Sequence, residues 1–490
     1  MNNSMQIIQG GMGAGVSSWR LAHAVSALGQ LGVVSGTALD QILARRLQDG
    51  DPGGHMRRAL DRFPARALAD RVYQTYFSEG GKAERVPYKL APMPVKNCPP
   101  ELQELILVAN FVEVFLAREG HANPVGINYL EKIQIPHLPA LYGALLAGVD
   151  YVLVGAGIPL KFPEAIDRLI RHEPATYPFS VTGAHEGENF DLTFVPGDYV
   201  SQPLEPLARP RFLAIVSSNV LATMLAKKLA GRIDGFIVEG PPAGGHNAPP
   251  RGRLQTDEQG SVVFGERDQV DVEKIRSLGL PFWLAGGYGS PEKLREALAA
   301  GAAGVQVGTA FAYCEESGFR ADYKRTILDQ VAAGRARVST DGLASPTNFP
   351  FKVVRVADTL SEPEVYAARP RICDLGFLRE AYRTTNGDVG YRCPAEPVNV
   401  FVGKGGKREE TVGRKCICNA LLAAVGEPQH RKGNLEEKGI VTSGDGLPEV
   451  LRFIPPDRLA YRAADVVAVL LGTKPPSVRE REAVSAASSE

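Results

Sequence analysis

Two glycine-bearing turns carry the first chemical expectation. Phe282-Trp283-Leu284-Ala285 runs into Gly286-Gly287, and Gly304-Val305-Gln306-Val307 runs into Gly308-Thr309. Each couples a short apolar run to a turn whose main-chain amides are not covered by a bulky side chain. Such turns at the ends of neighbouring strands suit a phosphate group; tight turns with no ligand are the plainer alternative. Gln9-Gly10-Gly11-Met12-Gly13 follows another apolar run. Its bare backbone suits the edge of a flat heterocycle, with Met12 flanking a ring or simply packing in the core. His246 follows Gly244-Gly245, just past the apolar run 235–238, where a tight turn would present its imidazole at the same face. An unperturbed imidazole titrates near neutrality, which makes His246 the candidate group for moving a proton or orienting a substrate.

Four of the six cysteines, Cys373, Cys393, Cys416 and Cys418, fall in the last quarter of the chain, each close to an arginine or lysine. Four thiolates suit zinc or an iron–sulfur cluster. Their spacing fits no standard pattern, and free thiols packed in a core are the plainer alternative. Among the histidines, His55 sits in a Gly-Gly-His turn and is a second candidate for lining the site, while Lys161 and Lys352 are candidate anion contacts.

These groups need a scaffold, and the first 350 residues supply a repeating one. Short apolar runs at 6–9, 32–35, 125–128, 151–154, 212–216, 235–238, 282–285 and 304–307 alternate with amphipathic helix patterns. Eight such units predict a (β/α)8 barrel, α/β in class, with its site at the carboxyl ends of the strands. Ser290-Pro291 reads as a helix cap and first turn. Insertions are expected at about 40–105 and 175–205, the second as a hairpin, since residues 190–195 alternate in polarity. The barrel is taken as residues 1–355. A smaller, mainly helical C-terminal domain follows over 356–473, with helices expected near 376–382, 411–425 and 463–471, and 474–490 is expected to be a disordered tail.

The 490-residue chain carries 55 basic and 55 acidic residues, so no net charge invites a nucleic acid. Its most apolar run, 212–226, is too short to span a membrane. The first basic residue is Arg20, which argues against a secretory leader, and a cytoplasmic location is expected. Six cysteines in so long a chain do not make a disulfide framework.

In order, Ile8-Gln9-Gly10-Gly11-Met12-Gly13, Pro124-Val125-Gly126-Ile127-Asn128, Val238-Glu239-Gly240 leading to Ala243-Gly244-Gly245-His246, Ala285-Gly286-Gly287 and Gln306-Val307-Gly308-Thr309 resemble the nitronate monooxygenase (2-nitropropane dioxygenase) superfamily, which also contains flavin-dependent enoyl reductases. The stretches 244–252, 345–352 and 19–61 are similar to the long trans-acting enoyl reductases of polyunsaturated fatty acid and polyketide synthases. The resemblance implies noncovalent FMN, its phosphate at Gly286, Gly287, Gly308 and Thr309 and its ring near Gly11, Met12, Asn128, Glu239 and Gly245. It implies an FMN-dependent oxidoreductase that oxidises nitronates or nitroalkanes with O2, or alternatively an NAD(P)H-dependent reductase of enoyl thioesters on an acyl carrier protein. Smaller monooxygenases of the family carry Gln where Glu239 stands, a departure that bears on nitronate specificity. A homodimer is a further expectation. A non-flavin barrel acting on a phosphorylated metabolite, or an FMN-binding subunit without turnover, are the alternatives of another class.

Overall fold

The computed structural model describes residues 5–201, 205–433 and 435–473; the expected tail at 474–490 lies outside them. Eight parallel strands form one sheet: β1 Ile7–Gln9, β2 Gly32–Ser35, β3 Val125–Leu130, β4 Tyr151–Gly155, β5 Arg211–Val216, β6 Gly235–Glu239, β7 Phe282–Ala285 and β8 Gly304–Val307. Each strand pairs with its neighbour in sequence, and β8 returns to β1 with Val305 opposite Ile7. A parallel bridge between Ile8 and Leu31 closes the ring onto β2, held by Gln9 N–H to Leu31 O at 2.9 Å and Leu31 N–H to Ile7 O at 3.1 Å. This is the (β/α)8 barrel, and each of the eight expected strands is present.

Strand side chains alternate between two cores. Ile8, Val33, Leu153, Leu213, Ile237 and Trp283 form one apolar cluster, as expected for side chains that fill a barrel's interior. The opposite faces join a larger cluster with the surrounding helices. Fully burying a residue of this kind contributes about 1.5–3 kcal/mol. Ser290 caps the helix Pro291–Ala299 by accepting from Lys293 N–H at 3.2 Å, with Pro291 in the first turn.

The first insertion is helical: Leu39–Gln48, His55–Leu60, Arg66–Tyr76 and Pro100–Arg118 pack there. The second contains the expected hairpin, Leu192–Phe194 antiparallel to Ala175–Tyr177. After the barrel, β9 (Val338–Asp341) pairs with β10 (Phe351–Val354). The helix expected near 376–382 is absent. Its last residues form β11 (Glu380–Arg383), antiparallel to β12 (Val389–Arg392). The connecting turn contains Asn386-Gly387 with Gly387 at φ +89°, and an Asn-Gly pair between extended runs favours a hairpin over a helix. Helices do occupy Ile417–Ala424 and Ala463–Leu471, as expected. Ile417, Leu422, Val441, Val450 and Val466 belong to the same buried cluster as the barrel's outer face. No helix among the described residues is long and apolar enough to cross a membrane.

Candidate active site

A cavity of about 480 Å³ opens at the carboxyl ends of the strands, and all ten residues expected to bind the cofactor or do chemistry line it: Gly11, Met12, Asn128, Glu239, Gly245, His246, Gly286, Gly287, Gly308 and Thr309. Gly286 and Gly287, directly after β7, have φ of +82° and +85°. A β-carbon on Gly286 would lie 2.6 Å from the Gly240 carbonyl oxygen, so only glycine fits this crossing of loops. Among the described residues, the amides of Gly286, Gly287, Gly308 and Thr309 are not spent on hydrogen bonds in turns or loops. Main-chain amides left free at the mouth of a cavity are ready donors, so a cradle of them suits an anion.

At the N-terminal loop a β-carbon on Gly11 would lie 2.5 Å from that of Asn128, so backbone and amide side chain are in close approach. The loop offers fewer free amides than its sequence suggests. Gly10 N–H donates to Val307 O at 2.9 Å and Met12 N–H to Ser17 Oγ at 2.9 Å. Asn128 Nδ2 is likewise used internally, donating to Leu153 O at 3.1 Å. Gln306 Oε1, on the same wall, is buried without a partner and calls for a donor. Together the open cradle, this orphan acceptor and the flat glycine edge fit a phosphate joined to a polar heterocycle, the chemistry of FMN.

The segment 442–445, far beyond the barrel, completes the cradle. Gly444 N–H donates to Thr309 Oγ1 at 2.9 Å, Gly245 N–H to Thr442 Oγ1 at 2.8 Å and Asp445 N–H to Pro242 O at 2.9 Å. Thr309 thus accepts from the chain and keeps its own hydroxyl proton to donate. Sequence reasoning missed this segment, although Thr442-Ser443-Gly444-Asp445-Gly446 carries the small polar residues of an anion-binding turn.

His246 is fixed by its neighbours. Lys352 N–H donates to Gly245 O and Asn247 N–H to Pro350 O, both at 2.9 Å, so the histidine loop lies against β10. Its Nε2 shares a 2.7 Å hydrogen bond with Ser345 Oγ, and its ring packs edge-on to Phe351 at 4.8 Å. Burial first, and the nearby Lys132 ammonium second, hold its pKa well below the usual value. At neutral pH His246 is therefore a neutral imidazole, better suited to orienting a group by hydrogen bonding than to delivering a proton it already holds. Arg414 braces the Ser345 loop through Ser345 O at 2.6 Å and Leu343 O at 3.0 Å, and through the Asn348 side chain.

Two further titratable groups have shifted pKa values. Burial raises the Glu239 carboxyl, at the end of β6, to about 7. It is then protonated over much of the neutral range and can donate a hydrogen bond as a glutamine would. Burial lowers Lys132 to about 7; its Nζ lies 4.2 Å from the Phe349 ring centroid and has no hydrogen-bond partner. Lys132 was not singled out from sequence, where a lysine two residues past β3 looks like any solvated one. The lysines that were singled out have other roles. Lys352 is buried and paired with Asp445 at 2.5 Å, and exposed Lys161 pairs with Glu164 at 2.8 Å. His55 packs against Trp19 at 4.9 Å and does not line the cavity.

Cys373, Cys393, Cys416 and Cys418 line one small pocket of their own, and Cys418 also lines the large cavity. No three His, Cys, Asp or Glu side chains among the described residues are grouped as ligands of a single metal ion.

The fold and the cavity define a (β/α)8 barrel with two open glycine turns and a histidine at its mouth. Residues 200–339, which include His246 and both glycine turns, match the nitronate monooxygenase family model. The chain is 34% identical over 247 residues to a nitronate monooxygenase of Pseudomonas aeruginosa; the match spans 49% of this chain and 62% of that protein. Over these residues the chain is similar to nitronate monooxygenases, and it spans less than two thirds of the length of the relative it matches. Solved structures similar to it include a FabK variant from Thermotoga maritima (16% identity, TM-score 0.44, 99% of this chain and 94% of the other). A nitroalkane oxidase from Streptomyces ansochromogenes is similar at 17% identity and TM-score 0.44, covering 98% and 97%. So is an enoyl reductase domain of MlnA from Bacillus amyloliquefaciens, at 10% and 0.43, covering 99% and 93%.

Proposed function

We propose that this protein is an FMN-dependent oxidoreductase. The observation that carries the reading is the meeting, on one cavity, of four unspent turn amides, the Gly11–Asn128 edge and His246. Gly286, Gly287, Gly308 and Thr309 would hold the phosphate, while Gly11, Met12, Asn128, Glu239 and Gly245 would flank the ring. When bound, the flavin supplies hydride or accepts electrons. The chain's own residues orient and desolvate the substrate. His246, fixed through Ser345, hydrogen-bonds the substrate oxygen. The Lys132 ammonium does not line the cavity but is near enough to act on His246, so its positive field would favour negative charge developing there.

The sequence match favours oxidation of a nitronate, an anion whose oxygens suit His246 and the positive field of nearby Lys132. The cavity walls favour reduction of an enoyl thioester: Leu130, Ile133, Ile158, Phe349, Phe377 and Leu378 give an acyl chain far more apolar surface than a short nitronate needs. On geometry the thioester reading is the stronger, and it brings NAD(P)H as donor and an acyl carrier as partner. Anaerobic stopped-flow separates the two. Bleaching by NADPH followed by reoxidation with a short enoyl thioester supports the reductase, and bleaching by a nitronate supports the oxidase. A flavin that neither reduces, or a chain that takes up no FMN, would defeat both.

A further inference from the structure

We propose that Cys373, Cys393, Cys416 and Cys418 bind an iron–sulfur cluster beside the flavin cavity. Four of the chain's six cysteines, from three separate stretches, close on one small pocket, and no disulfide joins them. Free buried thiols usually pack singly as small hydrophobes, and such packing gives no reason for four to meet.

The surroundings offer hydrogen-bond donors to sulfur. Cys418 faces the backbone amides of Phe377 and Leu378, and Cys393 faces that of Ala395. Cys416 accepts from Asn419 Nδ2 at 3.5 Å. Amide donors to thiolate sulfur are a standard means of stabilising and tuning such clusters. Arg379 lines the pocket and Arg369 faces Cys416. The carboxylates nearest Cys373 are engaged elsewhere, Asp374 with Arg431 at 2.7 Å and Glu396 with Lys404 at 2.8 Å.

The arrangement points to a cluster rather than one zinc ion. Zinc held at ~2.3 Å by each sulfur draws four thiolates almost into contact; here only Cys373 and Cys393 are in hydrogen-bond contact, and no three are so grouped among the described residues. A cluster places iron and sulfide between its ligands, so its thiolates stand further apart. Leu378, Ile417 and Cys418 belong to the walls of both pockets, so one layer of side chains separates the two.

The test is anaerobic purification of the full chain, with iron, acid-labile sulfide, zinc and flavin each assayed per chain and EPR recorded after dithionite. The expected result is about four iron and four sulfide per chain, as for a [4Fe–4S] centre, with an EPR signal on reduction. Cys373→Ala and Cys393→Ala should each lower iron at least tenfold, while Cys98→Ala, outside the pocket, should retain it. Should the pocket variants fail to fold, iron K-edge absorption of the wild-type protein decides: a sulfur-only shell supports the cluster, and oxygen or nitrogen ligands overturn it. Wild-type protein without iron even after reconstitution, zinc in its place, or iron unchanged in the pocket variants also overturns it. Because flavin is measured separately, loss of this proposal leaves the oxidoreductase reading standing, and the converse holds.

Discussion

A methyl group at Gly286 would meet the Gly240 carbonyl at 2.6 Å on backbone already at φ +82°, so it cannot be added without moving a loop. Gly286→Ala is expected to purify with its FMN content lowered by about tenfold or more, a loss of roughly 1–3 kcal/mol of binding, read from the flavin-to-protein absorbance ratio. At His246, replacement by alanine should leave flavin bound and lower kcat by about 10²–10³, the cost of losing one positioned hydrogen-bonding group. Lys132→Met should instead remove a pH dependence. The ammonium loses its proton as pH rises through about 7, so binding of an anionic ligand to the wild-type protein weakens above that pH, and in the variant it should be flat there. Equal pH profiles would show that Lys132 does not face the ligand. Glu239 acts on stability. Its folded carboxyl keeps a proton up to about 7, whereas the unfolded one releases it near the ordinary 4.5. Its contribution is therefore complete below about 4.5 and lost as pH rises through 7. Glu239→Gln should stabilise the chain above pH 7 by on the order of 1–3 kcal/mol relative to wild type and converge with it near pH 4.5, as measured by denaturant unfolding.

At the scale of elements, the loop 345–348 is held by one guanidinium. Arg414→Ala removes the donors to Ser345 O, Leu343 O and Asn348 and frees the serine that orients His246. Catalysis should fall by about tenfold while flavin content stays constant, because the cradle does not use Arg414; a matching loss of flavin would count against this chain of contacts. The same scale shows what the sequence made legible. Buried parallel strands leave apolar runs between glycine breaks, so all eight were visible, and Gly286-Gly287 and Gly308-Thr309 could be placed at the cavity mouth because each directly follows such a run. The hairpin at β11 and β12 was missed although Asn386-Gly387 marked it, since the apolar residues around it also fit a helix. Lys132, Ser345 and the 442–445 segment were illegible for a different reason. Each acquires its role from a partner distant in sequence, 99 residues away for Ser345 and His246, and no local pattern records that.

For the whole molecule, the residues past the barrel are part of its core and of its site. Val354 N–H donates to Val441 O at 2.8 Å, and Ile417, Val441 and Val450 are buried with the outer barrel face. A chain cut after residue 355 is therefore expected to aggregate or to lack a cooperative thermal transition, because it exposes that face. A soluble, cooperatively folding fragment would mean that the two parts are energetically separate.

The bond from Gly444 to Thr309 also has a temporal consequence. During synthesis all eight strands leave the ribosome well before residue 444 does, so a nascent barrel has its sheet but lacks the last wall of its anion cradle. On the proposed function, tight flavin capture would then await the end of translation, and retained colour would report that both ends of the polypeptide have found each other. Free FMN added to stalled chains ending near residue 400 should dissociate readily, whereas released full-length chains should keep it through gel filtration.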